Sequence, residues 1–188
     1  MKSRYIGSLS PEYALLGLLA QGPAHGYELH QKLATDLGEI WHLSQSQIYN
    51  ILNRLEGKGF IHGTLQEQDK LPAKRSFKLT EAGEQRFMDW LILPSRSSVR
   101  AIRIEFTTRL YFALSVNQEY AHQIIEAQMV ETQAGLGRLK TVQAQVPPEQ
   151  IINWIGLDLR IRQLTSIIEW LASCHSAIST SQNESASR

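Results

Sequence analysis

Cysteine is almost missing from this 188-residue chain. Cys174 is the sole one, which rules out an internal disulfide and suits a reducing, cytoplasmic setting. Long apolar runs are missing too. No stretch approaches the roughly 18 to 20 residues of a membrane span, and the start, MKSRYIGSLSPEY, lacks the apolar core of a signal peptide, so no membrane partner is expected. Charge of one sign is not in excess: 19 Lys and Arg face 18 Asp and Glu. The six histidines do not fall at metal-ligand spacing, His25 and His30 being off the i,i+4 face, and no glycine-rich phosphate loop or G-x-S-x-G elbow occurs. Cys174 and His175 are adjacent and would point apart on a helix, so they form no nucleophile and base pair. The expectation is a protein that is not an enzyme, with no catalytic residues, no metal and no cofactor.

What is present is enough apolar material, 43% of the residues, for one or two modest cores. Turn and cap signals divide it into a front part over residues 1–92, a helical back part over 93–178, and a polar tail, 179–188, expected to be disordered. The fold class expected is mainly α. Splitting the charges locates the basic signal. Residues 1–92 carry ten cations and ten acids, but between Asp69 and Lys78 four cations, Lys70, Lys74, Arg75 and Lys78, accompany one acid.

The front part reads as helices with clear punctuation. Ser10-Pro11-Glu12 supplies a cap, a proline at the first helical position and an acid in the first turn, followed by Tyr13, Leu15, Leu16, Leu18 and Leu19. Gln21-Gly22-Pro23 ends that helix. A second begins near Ala24 or His25, carries Tyr27, Leu29, Leu33 and Leu37, and stops at Gly38. Ser44 followed by Gln47 matches a capping box, and Ile48, Ile51, Leu52 and Leu55 recur on one face of a third helix. Its opposite face offers Gln45, Ser46, Tyr49, Asn50, Asn53 and Arg54.

After Gly57 and Gly59, residues 60–65 and 76–79 read as two strands, joined by a long link containing Pro72 that should project as a mobile wing. Thr80 caps a fourth helix. A helix followed at once by a basic-tipped hairpin is an arrangement suited to duplex DNA, whose major groove admits one helix between two lines of phosphates. On this reading Ser46, Gln47 and Asn50 are candidates for base contact, and Ser44 and Gln45 open the same helix. Tyr49 either packs beneath the helix or reaches a phosphate, and Arg54, far along it, would meet the backbone. Lys70, Lys74 and Arg75 would grip phosphate or minor groove, and backbone N–H groups of His25, Gly26 and Tyr27 could donate to a phosphate.

Three segments, LSPEYALLGLLAQGPAHGYEL, IYNILNRLEGKGFI and PAKRSFKLTEAGEQRF, in this order and spacing, resemble the PadR family of bacterial transcription regulators over about the first 90 residues. The resemblance implies a winged helix-turn-helix that binds double-stranded operator DNA as a symmetric dimer, usually as a repressor. Where that family often has Tyr before the Leu-Thr, this chain has Phe77, an apolar substitute at a core position. Relatives often answer to phenolic or other aromatic compounds, so a small aromatic effector relieving operator binding is a further implied partner. Trp41, Trp90, Trp154 and Trp170 could line its pocket, or pack in cores and interfaces.

The back part starts after the polar break Pro94–Ser98. Val99, Ile102, Phe106, Leu110 and Ala113 form one helical stripe, Asn117 caps the next helix, and Pro147-Pro148-Glu149 opens the last. Arg96, Arg100, Arg103 and Arg109 read as a solvated helix face or as ion pairs between subunits. The last helix has apolar residues on more than one side, from Ile151 and Trp154 to Trp170 and Leu171. A helix apolar on two sides must be buried on two sides. A second copy is the simplest cover, which makes this part an antiparallel helical dimerisation module. In such a homodimer the reading helices would address palindromic half-sites about 34–36 Å apart. The competing reading is a winged-helix protein-interaction adaptor without sequence-specific DNA binding, motivated by the charge balance of residues 1–92.

Overall fold

The computed structural model describes residues 10–68 and 71–185. They fall into two compact units that divide between Ile92 and Leu93.

In the first unit, α1 (Glu12–Ala20) is buried nearly all round, because Tyr13, Leu15, Leu16, Leu18 and Leu19 leave it no polar face. It is the centre about which the other elements pack. Leu29, Leu33 and Leu37 turn α2 (Gly26–Leu37) inward at helical spacing. Ile48, Ile51, Leu52 and Leu55 do the same for α3 (Gln45–Gly57). From α4 (Glu81–Leu91), Trp90 stacks on Tyr13 with ring centres 4.7 Å apart. Burial of this continuous apolar surface, rather than helix propensity, holds such short helices.

Gly59 ends α3 at φ +74°, a left-handed conformation that reverses the chain into β2 (Ile61–Gln68). β3 (Leu71–Leu79) returns antiparallel, pairing Ile61 with Leu79 and Gln66 with Lys74, with an irregularity between Gln66 and Gln68. The expected long link is therefore largely strand. Pro72 is tolerated because β3 has only one neighbour there: the third strand, β1 (Ala24–His25), pairs only with Phe77 and Ser76. The sheet order β1-β3-β2 thus adds one strand to the two expected.

The second unit runs from α5 (Val99–Ala101) through a π-helical segment, Ile102–Phe106, into α6 (Thr107–Val116). Then come α7 (Gln118–Gln143), capped by Asn117 through its bond from the Tyr120 N–H at 2.7 Å, and α8 (Ile151–Ser185). Pro147 forms the turn before α8, its carbonyl accepting from the Gln150 N–H. α7 and α8 are antiparallel, since His122 near the start of one meets His175 near the end of the other at 4.3 Å between ring centres. Ile102, Phe106, Ala113, Ile124, Ile125 and Leu171 build the core here. α8 runs through Ser185. One expectation is corrected. Arg109 is not part of a solvated basic face: it is 2% exposed, paired with Glu105 at 2.6 Å and donating to Ser95 Oγ at 2.7 Å. Gln128 closes this buried network by accepting from the Ser95 N–H and donating to the Ser95 carbonyl. A buried charge needs such partners to remain charged.

Candidate nucleic-acid interface

The candidate surface begins at the entry to α3. Ser44 Oγ accepts from the Gln47 N–H at 3.3 Å, and Gln47 Oε1 accepts from the Ser44 N–H at 2.8 Å. The capping box expected from the residue spacing is thus formed. It has a consequence for Gln47: bidentate pairing with adenine needs the amide oxygen and nitrogen together, and the oxygen is already engaged. Gln45, Ser46, Asn50 and Asn53 stand exposed on the outer edge of the helix while Ile48, Ile51, Leu52 and Leu55 anchor the inner one.

Tyr49 reaches back toward α2. Its ring lies against Gly26, where an added Cβ would come within 2.7 Å of ring atoms, yet the residue stays 36% exposed. The start of α2 is closed by Glu28, whose carboxylate accepts from the His25 backbone N–H at 2.8 Å and from the Tyr27 hydroxyl at 3.0 Å. The His25 N–H, above all, holds the Glu28 carboxyl below the usual carboxylate range, and the bond to Glu28 raises the Tyr27 phenol. His25 N–H is therefore occupied rather than open to a phosphate.

β1 brings this turn to the hairpin. The His25 ring donates through Nδ1 to the Arg75 carbonyl at 3.0 Å and stacks with Tyr27, and Lys74 Nζ sits 5.2 Å from the centre of the Tyr27 ring. Tyr27 and Lys74 thus form an aromatic and cationic pair at the stem of the wing. Lys70 lies outside the described residues.

Two arginines expected at the interface are committed within the fold. Arg75 places its guanidinium on both oxygens of Glu56 at 2.7 Å and lies over Phe77, while Glu56 also accepts from the Gly63 N–H at 2.9 Å. This clasp joins the end of α3 to both wing strands. Arg54 pairs at 2.7 Å with Glu12, a carboxylate 6% exposed that also draws Lys58 at 3.4 Å and Arg86 at 3.9 Å. Glu12 therefore ties α3 and α4 to the central helix. From sequence Glu12 reads only as a first-turn acid and Glu56 is not singled out, for their partners are far along the chain; the Glu28 cap had a local signal in its spacing from His25.

The tryptophans are placed individually. Trp90 is in the core, Trp41 lines an open cleft of about 560 Å³ with His30, His42 and Ser44, Trp170 meets Phe106 edge-on, and Trp154 is 42% exposed at the start of α8.

Residues 15–89 match the family described as "Transcriptional regulator PadR-like family". Over 129 residues the chain is 32% identical to the negative transcriptional regulator PadR of Bacillus subtilis (strain 168), covering 69% of this chain and 70% of that protein. Among solved structures, B. subtilis PadR in complex with operator DNA is 28% identical, with 87% of this chain and 97% of that one covered and a TM-score of 0.43. The same protein in complex with p-coumaric acid gives 28% identity, coverage of 90% and 98%, and a TM-score of 0.40. On the extent and identity of the match to B. subtilis PadR, and on a helix-turn-helix and hairpin lying within the matched span, this chain belongs to the PadR-like family of transcriptional regulators.

Proposed function

We propose that the chain is a homodimeric repressor whose α3 reads operator DNA, with β2 and β3 as the wing, and whose binding is relieved by a small molecule. The observation that carries this reading is the outer edge of α3. It presents short amides and a hydroxyl, Gln45, Ser46, Asn50 and Asn53, on a helix whose inner face is fully anchored and whose end is clasped to a hairpin. Side chains of this type form the hydrogen bonds that distinguish base edges.

In this assignment Asn50, Ser46 and Gln45 contact bases, while Ser44 and Gln47 hold the amino end of the helix toward the DNA. Tyr49, Tyr27, Lys74 and Lys70 approach the sugar-phosphate backbone. His25, Arg54 and Arg75 act chiefly by holding these elements in place. The B. subtilis relative's description as a negative regulator supports repression. A palindromic operator follows from two-fold symmetry of the proposed dimer.

The charge balance of the first unit supports the second reading, an adaptor that turns the same helix against a protein. Selection of genomic fragments by the purified protein, followed by mobility shift at low salt, separates the two. Recovery of one inverted-repeat sequence, bound far more tightly than unrelated DNA, is the expected result. If no DNA is retained at low salt, where phosphate contacts are strongest, the adaptor reading replaces this one.

A further inference from the structure

We infer that Lys58 and Arg86 form a seat for a DNA phosphodiester on the edge of α3 turned away from the wing. The inference rests on α3 as the helix that enters the groove, and adds a grip on the second line of phosphates. With about 3.6 residues per turn, Tyr49 and Glu56 share one edge of α3, while Gln47, Arg54 and the capping Lys58 share the other. Ser46, Asn50 and Asn53 lie between the two edges. The contacts agree with this division. Tyr49 rests on Gly26 and Glu56 holds Arg75 of the wing, whereas Arg54 and Lys58 turn to Glu12 of α1. A helix lying in the major groove has a sugar-phosphate backbone on either side. The wing and the start of α2 stand at one side, and the Glu12 cluster at the other.

Around Glu12 the cations outnumber the acid. Arg54, Lys58 and Arg86 lie 2.7, 3.4 and 3.9 Å from its carboxylate, and among the described residues no other carboxylate comes within 4 Å of them. Arg54 takes the short hydrogen bond through Nε, so Glu12 neutralises it first. Lys58 and Arg86 remain as an excess of two positive charges.

Arg86, on α4, decides what the excess is for. Its guanidinium is held over the Phe60 ring at 4.8 Å and the Tyr13 ring at 5.2 Å from their centres. Yet it makes no hydrogen bond among the described residues. The Glu12 oxygen at 3.9 Å is too distant for one, and Nε is buried without an acceptor while the terminal nitrogens stay open to solvent. A guanidinium carries five donors, and one fixed between two rings with none engaged is arranged for an oxygen-rich anion. Lys58, its side chain 47% exposed, stands at the other Glu12 oxygen, so one carboxylate holds both cations with their outer sides open. The two unbridged oxygens of a phosphodiester supply one acceptor to each. A free phosphate ion has the same chemistry, but the position beside the outer edge of α3 favours the backbone of DNA.

Fluorescence anisotropy of a labelled random-sequence duplex, titrated with the full chain across a salt series, tests the seat. Lys58→Gln combined with Arg86→Gln should weaken binding about tenfold at low salt and make the plot of log affinity against log salt shallower by about 0.9, the loss of one phosphate. Because Arg86 packs between two rings, Lys58→Gln is also measured alone and should weaken binding about threefold with an unchanged melting temperature. Arg86→Lys should keep most of the slope, since it keeps the charge. Ethylation interference on the selected operator should lose one phosphate per half-site in the double variant, across the groove from the wing's contacts. A parent-like slope in Lys58→Gln and in the folded double variant overturns the seat and leaves α3 as the reading helix, whereas a parent chain that binds no duplex overturns both. Saturable calorimetric binding of inorganic phosphate to the parent, absent in the double variant, would assign the cations to a free anion and likewise overturn the seat.

Discussion

Arg75 shows how a single carboxylate can govern what a cation on the wing is able to do. With both Glu56 oxygens at 2.7 Å, its guanidinium is neutralised at the stem of the hairpin instead of projecting toward a phosphate. Replacing Glu56 with Gln keeps the shape and an acceptor for the Gly63 N–H but removes the charge that holds Arg75. Stability should change by less than about 1 kcal/mol, because the pair is partly exposed to solvent. Freed to meet one more phosphate, Arg75 should steepen the plot of log affinity against log salt by about 0.9. It should also strengthen binding to unrelated duplexes. Fluorescence anisotropy across a salt series measures both, and a slope equal to that of the parent chain would show that Arg75 stays clear of the DNA. Only part of this was legible in the sequence. The Ser44 and Gln47 box depends on neighbours three apart, so spacing alone revealed it, whereas Arg54 finds Glu12 across 42 positions and Arg75 finds Glu56 across 19. Linear order carries no sign of such pairs.

At the scale of elements, α3 divides its polar residues between holding the helix and facing outward. Gln47 belongs to the first group through its capping bond, and Asn50, exposed one turn further, belongs to the second. Gln47→Ala should therefore cost about 0.5–1 kcal/mol of stability and weaken binding to every DNA sequence alike. Asn50→Ala should leave the melting temperature nearly unchanged and relax preference at one base pair by about 1–3 kcal/mol. Binding measured against a panel of single-base operator variants distinguishes them. Loss of preference in Gln47→Ala at one position, with none in Asn50→Ala, would reverse the roles assigned here. Helical periodicity made α2 to α4 visible in advance because each buries one repeating apolar face, while α1, buried nearly all round, was marked by its cap signals and unbroken apolar run. β1 escaped because two residues show no period, and most of the wing read as a link because Pro72 and polar residues mark loops unless a strand lacks a neighbour on one side. The π-helical segment likewise leaves no mark, since its buried apolar residues, Ile102 and Phe106, are four apart as they would be on an α-helical face.

For the molecule as a whole, the decisive question is what covers α8. Ile151, Ile155 and Leu159 lie four apart on one stripe and are 55%, 51% and 56% exposed, with Ile152 and Trp154 beside them also exposed. The excess of apolar residues noted in the last helix is thus left uncovered by α7 within one chain, as the sequence pattern implied. A patch of this kind suits an interface, and in the proposed dimer two-fold pairing would bury it on both copies with one set of residues. Ile155→Glu combined with Leu159→Glu should remove about 1.5–3 kcal/mol of interfacial apolar burial per copy, since each is already about half-buried, and place charges against each other across the axis. Sedimentation should then report half the parent mass, while circular dichroism stays the same because neither residue is buried within its own chain. Trp154, on the same end of α8, gives an independent signal: its fluorescence should shift to the red as the partner leaves. The loss should extend to DNA, since a monomer brings one reading helix and forfeits the second half-site. A parent chain that already sediments as a monomer at micromolar concentration would remove the dimer from the proposal and leave a single helix and wing to supply all of the operator affinity.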